Sequence, residues 1–521
     1  MRIFTSVAVA ATAFLTSLAV SGQLSFGGHP LGIERSTGLP PAPVAVMRCV
    51  DAAALMAEDE ARTRQGIKGP YRFGYNHQVD LSMTNSGVWN TMPNGDRVWR
   101  LSIHCPQAHS INFEFHEYVV PEGAQVFVYN EMDEVLGGFE AGSNPGHDQL
   151  GVDLLAGDRI TIEYVEPLVV RGQGRLRVGQ VTHGYRDLFG RAKGLNDSGS
   201  CNNNVNCSEG DPWRSQITSV AMIVVQGNGI CTGQLINNCA NDATPYFLTA
   251  NHCLGGTNWV FRFNWHSPNC TPTTNGPTNQ SLSGFTLLAN NASSDVALLE
   301  LNSTPPQSYN PYYTGWNANA APASGGVVAI HHPSGDVKKI SFEAQTVLTS
   351  SFDGAQTWRV PSWDDGTTEG GSSGSGLWNQ NGLLVGQLFG GSASCTSNFN
   401  DFYGKFSVSY PLLSEWLGDC GPVLEGYSPF LISVEEDARD QTISLSPNPS
   451  GGPIALSLPD LDEGVWDLRI MNALGSVVEQ HVVASGTKRL DLDLTGHDIG
   501  VYFVEARGAG SRIVERLIIA R

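Results

Sequence analysis

The chain reads as an all-β protein built from several units, and three observations point that way. Apolar residues recur with a period of two in short runs, turn residues separate those runs, and helical periodicity is largely missing. Glycine fills 59 of 521 positions, which suits a loop-rich strand protein. A chain of this length exceeds what one core usually serves, and a prior of roughly 100–200 residues per domain gives about three units.

Taken in order, the first residues MRIFTSVAVAATAFLTSLAVSG place Arg2 ahead of an apolar run that ends in small residues near Gly22. This is the pattern of a signal peptide over 1–22. No later apolar stretch is long enough to span a bilayer, so a secreted, extracellular or cell-surface protein that is not transmembrane is expected. A polar segment continues to about Gly95. Then VWRLSIHC, INFEFHEYVV, AQVFVYN and DRITIEYVEP alternate between turns and predict a small antiparallel β unit inside a segment 23–193.

The joint RDLFGRAKGLNDSGS, Arg186 to Ser200, is basic and turn-rich, and is either a solvated linker or a processing site. Beyond it SVAMIVV, PYFLTA, DVALLEL, GVVAIHH and LLVGQLFGG predict a second β domain over 194–430, with PLLSEWLGD as its helix candidate. An acidic connector, 431–440, leads to 441–521, which read as a small β sandwich. In it VWDLRIMNALGSVVEQHVV forms a hairpin around Asn472 to Gly475, RLDLDLTG a strand, and GVYFVEARGAGSRIVERLIIAR a final strand pair.

Charge and cysteine usage narrow the chemistry. A net charge of −20 argues against a polyanionic partner, so no nucleic acid is expected. The ten cysteines are an even number in an exported chain and favour disulfides; no C-x-x-C pair occurs, so neither a metal site nor a cofactor is expected.

The stretch EGGSSGSGLW, Glu369 to Trp378, holds three serines among glycines, and a nucleophilic serine there would need a base, an orienting acid and oxyanion donors. GGSSG formally matches the G-x-S-x-G elbow with Ser372 as nucleophile, but in that arrangement the histidine follows the serine. The histidines after Ser372 are His481 and His497, both in the C-terminal unit, so the elbow fails on order. The reverse order, His then Asp then Ser, is met by His252 at the end of YFLTANHC, Asp295 opening the strand DVALLEL, and Ser373.

These residues carry a resemblance. TANHC resembles the T-A-A-H-C box of trypsin-like serine proteases, SDVALLEL their D-[IV]-A-L-L box, and GSSGSG their G-D-S-G-G-P. More narrowly, the order GSCNNNVNCSEGD, CTGQL, FLTANHC, SSDVALLEL, AIHHP, GSSGSG and DFYGKF resembles the bacterial lysyl endopeptidases over about 230 residues. The resemblance implies a double six-stranded β-barrel and a serine endopeptidase, with Ser373 as nucleophile, His252 as general base and Asp295 as its orienting acid. The N–H groups of Gly371 and Ser373 would form the oxyanion hole. Asp401 of NDFYGKF would lie at the base of the primary pocket beside Phe389, Gly390 and Gly391 and select Lys, with Arg open, because Phe389 stands where the family has His. Ser372 replaces the Asp that receives a new N-terminus in trypsin, which argues against activation through a buried terminal ammonium. His331 and His332 of AIHHP find no partner in the sequence and read as structural.

By the same resemblance, Cys201 pairs with Cys395, Cys207 with Cys270 and Cys231 with Cys253. Cys239 with Cys420, and Cys49 with Cys105, are couples by elimination. The block 194–430 carries few basic residues: Arg214, Arg262, Lys338, Lys339, Arg359 and Lys405. That scarcity suits a protease that cuts after Lys or Arg, and also an acidic protein that avoids lysine generally. Cutting after Lys193 would release 23–193 as a β-rich propeptide. The C-terminal unit, with S-P-N-P-S and G-V-Y-F-V, resembles the type A sorting domain of type 9 secretion; a carbohydrate-binding or adhesive sandwich is the other reading. The expected partners are protein or peptide substrates and the secretion machinery, and the expected state is a monomer. The competing function is a catalytically inactive protease-fold binding or adhesion protein at the cell surface.

Overall fold

The structure, a computed structural model, describes residues 28–34, 38–65, 69–190, 198–256, 258–272, 274–321, 323–430, 443–458, 465–472, 477–484, 487–508 and 511–520. The signal peptide, Lys193, the connector 431–440 and the turn at 473–476 lie outside them. The chain divides into two compact units, Met1–Phe430 and Leu431–Arg521.

The first unit opens with a six-stranded and a four-stranded sheet. The four alternating runs of the sequence are strands Arg97–His104, Ser110–Val119, Gln125–Asn130 and Arg159–Glu166. Their inward residues, among them Trp99, Leu101, Ile111, Phe113, Val126 and Ile162, make one core between the sheets. A helix that the sequence reading did not foresee spans Ala52–Arg64. It buries no residue, so it carries no apolar stripe to be read; its start is fixed by Asp51, whose carboxylate accepts from Ala54 N–H.

The following region is built on an eight-stranded and a ten-stranded sheet. The first holds Val220–Val225, Gly229–Leu235, Tyr246–Ala250, Val260–Phe263 and Val296–Leu301; the second holds Val327–His331, Gly376–Asn379, Leu384–Gly391 and Phe399–Lys405. The helix candidate near PLLSEWLGD is Phe406–Leu417, and it buries Phe406, Leu413 and Leu417 against the sheets. The eighth strand of the first sheet is Tyr71–Arg72, contributed from the N-terminal region and paired antiparallel with Gly229–Ile230.

That added strand is part of a wider seam. Phe73, Leu154, Ala156, Leu188 and Phe189 share one apolar cluster with Met222, Val224, Ile230, Val260 and Trp265. Beside it Arg262 makes a two-point ion pair with Asp153 at 2.7 and 2.8 Å, with both side chains buried. The guanidinium also lies 4.7 Å from the Trp265 ring, so its charge is paired on one side and stacked on the other.

Four disulfides join Cys201–Cys395, Cys207–Cys270, Cys231–Cys253 and Cys239–Cys420. The expected Cys49–Cys105 couple is corrected: both are free thiols. Cys105 is fully buried within the N-terminal core, whereas Cys49 is exposed. Burial pushes the Cys105 thiol up to about 12, which keeps it protonated and unreactive.

The second unit is a three-stranded and a four-stranded sheet packed around Trp466, Leu468, Ile470, Val504 and Leu517. Val465–Asn472 pairs with Val477–Ala484, and Gly500–Gly508 with Ser511–Ile519, as the hairpin and final strand pair required.

Candidate active site

Strand register brings His252 and Asp295 together. Tyr246–Ala250 and Val296–Leu301 are antiparallel neighbours whose last pair is Ala250 with Val296. Residues just past one strand end therefore face the residue just before the other. Asp295 takes a left-handed φ of 52°, and from there its carboxylate accepts twice from His252: at 2.9 Å from the backbone N–H and at 2.7 Å from Nδ1. Nδ1 is thereby the protonated nitrogen, and Nε2 is left as the acceptor. Asp295 is 2% exposed, and the carbonyls of Ser294 and Asp295 both accept from Gln387 Nε2, at 2.7 and 3.2 Å, which ties this corner to the second sheet.

Ser373 arrives from that second sheet. Its carbonyl accepts from Thr232 N–H at 2.8 Å, and the Thr232 hydroxyl donates to the Gly371 carbonyl at 2.9 Å, so the CTGQL strand grips the serine loop at two points. Two glycines are sterically required. Gly371 has φ of 96°, and a Cβ there would stand 2.8 Å from the His332 carbonyl oxygen; Gly374 has φ of 83°, and a Cβ would stand 2.2 Å from Thr249 Oγ1. His252 and Ser373 line one cleft of about 920 Å³, together with Leu388, Phe389, Gly390, Gly391 and Asp401. The Phe389 ring stacks on the His252 imidazole at 5.7 Å, and Phe352 packs edge-on against Phe389 at 5.3 Å.

Asp401 lies in the wall of the same cleft, 1% exposed. Its Oδ2 accepts from Trp363 Nε1 and from Thr368 Oγ1, each at 2.7 Å. Gly391 is its strand partner, where a Cβ would meet Asp401 Oδ1 at 2.2 Å. Trp363 and Thr368 escaped the sequence reading because nothing in WDDGTTEG marks a side chain as a donor to a residue more than 30 positions on.

Ser372, set aside as a nucleophile on chain order, is fully buried and accepts from Glu369 N–H at 3.2 Å. His331 and His332 acquire the partners that the sequence could not supply. His331 Nδ1 lies 2.8 Å from Ser372 Oγ and its Nε2 lies 3.1 Å from Ser341 Oγ; His332 Nδ1 donates to the Asp336 carbonyl at 3.0 Å. Burial pushes His331 down to about 3, helped by the Lys339 charge, and holds His332 well below its ordinary value.

A pH dependence of stability follows from these buried imidazoles. In the unfolded chain they bind a proton below about pH 6.5, but the folded His331 does not until about pH 3. Stability is therefore full above about pH 6.5 and is lost as the pH falls from there towards 3, at up to about 1.4 kcal/mol per pH unit for His331. Urea midpoints measured between pH 7.5 and 4 are expected to fall steadily below 6.5. A midpoint that stayed level across that range would contradict this account.

The cleft has a further wall. Asp59, Arg62, Arg64, Gly69, Tyr71 and Arg72, all from the N-terminal region, line it opposite Glu369 and Gly370. The Arg186 guanidinium covers the Tyr71 ring at 5.0 Å and donates to Asp59 at 2.8 Å.

Comparison with known proteins adds the following. Residues 195–404 match the family described as lysyl endopeptidase, C-terminal domain, and residues 444–520 match the secretion system C-terminal sorting domain. A lysyl endopeptidase of Pseudomonas aeruginosa is 30% identical over 386 residues, covering 65% of this chain and 78% of the relative. Among solved structures, the active form of the Rv3671c protease from M. tuberculosis is 18% identical with a TM-score of 0.29, covering 42% of this chain and 88% of the other. A Glu endopeptidase in complex with MPD is 18% identical with a TM-score of 0.29, covering 43% and 97%.

Proposed function

The chain belongs to the lysyl endopeptidase family, and from that premise we propose that its cleft hydrolyses peptide bonds after basic residues, with lysine preferred and arginine accepted. It is a serine endopeptidase, and the sorting domain marks it as an extracellular or cell-surface protein. Ser373 is the nucleophile, His252 takes and returns its proton through Nε2, and Asp295 holds the tautomer that leaves Nε2 basic. Gly371 and Ser373 N–H groups stabilise the oxyanion. Water completes the acyl-enzyme cycle.

The observation that carries the specificity is Asp401, a buried carboxylate in the cleft wall that accepts from Trp363 and Thr368. A substrate ammonium or guanidinium supplies the positive charge that such a carboxylate favours, whereas an apolar side chain supplies none. A second observation agrees. Of the six basic residues in 194–430, Arg262, Lys338, Lys339 and Lys405 are buried, Arg359 is half-buried and Arg214 is exposed, which leaves few sites for the enzyme's own activity.

In this reading the domain order is signal peptide 1–22, propeptide 23–193, protease 194–430, linker 431–440 and sorting sandwich 441–521, with cutting after Lys193. The strand Tyr71–Arg72 and residues of the helix before it line the cleft, so in this reading removal of the propeptide opens it further. Digestion of a peptide mixture, with cleavage positions read by mass spectrometry, tests the specificity; cleavage dominated by apolar P1 residues would remove Asp401 from its role. N-terminal sequencing of the active enzyme and of a Ser373→Ala chain locates the joint. A shared start in both would assign the cut to another protease.

A further inference from the structure

Besides the grip of Thr232, the serine loop is held by the short segment IHHPSGD, and the bonds around it bear on the orientation of two peptide groups. In a trans peptide the carbonyl and the N–H point in opposite directions, so a partner on the carbonyl dictates where the N–H faces. The Gly370 carbonyl accepts from Ser334 N–H at 2.6 Å, which directs the Gly371 N–H of the same peptide away from Ser334. The Ser372 carbonyl accepts from Ser375 N–H at 3.0 Å, which fixes the Ser373 N–H in the same manner. Ser334 itself has φ of 56°, a left-handed conformation that a non-glycine residue adopts at a cost, and its hydroxyl donates to Glu369 Oε2 at 2.8 Å.

His331 completes the hold, and its hydrogen bonds run in one direction only. Ser341 Oγ donates its proton to the Thr367 carbonyl at 2.8 Å, so towards His331 Nε2 it can only accept. His331 is therefore protonated at Nε2, and Nδ1 accepts the hydroxyl proton of Ser372, whose oxygen accepts the N–H of Glu369. The chain from Glu369 N–H through Ser372, His331 and Ser341 to Thr367 is satisfied at every step, and Ser372, His331, Ser341 and Thr367 are all buried. It carries no charge and uses no chain terminus.

We propose that the segment His331–Asp336 is the positioning element of the oxyanion hole, acting through Ser334 N–H on the Gly370 carbonyl and through His331 on the Ser372 hydroxyl. In trypsin-like enzymes the residue before the nucleophile is an acid that meets a new N-terminus; here an internal imidazole meets a serine at that place. Ser198 and Gly199 tie onto the same assembly, through Asp336 Oδ2 at 3.1 Å and Glu369 Oε1 at 2.8 Å, as ordinary backbone amides of the uncut chain. His331 and Ser334 are positioning residues, since they act on the reaction only through the loop they hold.

This inference rests on the reading of Ser373 as nucleophile, and the experiment separates the two. The self-processed enzyme is compared with His331→Phe, His331→Asn and Ser372→Ala, reading kcat, KM, inhibition by a lysyl peptide boronic acid and inhibition by hexylamine. The boronate adduct places an oxygen in the oxyanion hole, whereas hexylamine needs only the Asp401 pocket. His331→Phe and Ser372→Ala are expected to lower kcat by about 10- to 100-fold and weaken the boronate by a similar factor, less than or equal to the loss of one oxyanion donor. KM and hexylamine inhibition should stay within about 2-fold, and His331→Asn, which keeps an acceptor near Nδ1, should recover most of the loss. If kcat is unchanged in both substitutions, or if boronate and hexylamine weaken together, the positioning role is wrong. Should His331→Phe fail to fold, Ser372→Ala decides alone. Failure of the unsubstituted enzyme to form a boronate adduct or to label with a fluorophosphonate at Ser373 would instead overturn the reading of the site.

Discussion

Replacing Ser373 by alanine is expected to lower kcat by about 10⁶-fold while leaving the fold and the affinity for a pocket ligand unchanged. The size follows from how a serine, its base and its orienting acid work together: removing the nucleophile or the base alone costs about as much as removing all three. His252→Ala should therefore match it, and the double substitution should add little. Asp295→Asn should be milder, about 10⁴-fold, because the hydrogen-bonded geometry survives and the tautomer is what changes. The measurement is turnover of a lysyl peptide substrate against active-site titration. A Ser373→Ala chain that kept a tenth of the activity would remove that residue from the chemistry.

The second large effect is expected at Asp401. Asp401→Asn preserves the shape and can keep an oxygen before Trp363 Nε1 and Thr368 Oγ1, so the wall should stand while its charge is lost. A substrate lysine then enters a buried site unpaired, at a cost of about 3–5 kcal/mol, or roughly 10²- to 10⁴-fold in kcat/KM. Hydrolysis of a small activated ester with no basic side chain should change far less, which separates lost recognition from lost chemistry. Equal losses on both substrates would mean that Asp401 supports the active-site loop and does not select the substrate.

What was legible in the sequence follows from where each signal resides. Alternation with a period of two revealed the strands, chain order rejected Ser372 as an elbow nucleophile, and register with the G-D-S-G-G-P box of the resembling family selected Ser373 beside His252 and Asp295. His252 and Asp295 are brought into hydrogen-bond contact because adjacency there is set by strand register, a local property that the apolar runs encode. The helix Ala52–Arg64 was invisible because it has no buried face. The Ser372 partner of His331, and the donors Trp363 and Thr368 on Asp401, were invisible because they join side chains 33 to 41 positions apart that no spacing rule links. The Cys49–Cys105 couple failed for a related reason: elimination counts sulfurs, while the fold buries one of them and exposes the other.

The register that joins His252 to Asp295 also defines what can come apart. The imidazole and its carboxylate belong to neighbouring strands of a single sheet and move as one piece, but Ser373 is delivered from the other sheet. Under the proposed chemistry, the gap across which the proton passes is therefore a joint between two sheets, tied by Thr232 on one side and Gln387 on the other. Stress that slides the sheets, such as hydrostatic pressure, is expected to lower activity at that joint before the sheets themselves unfold.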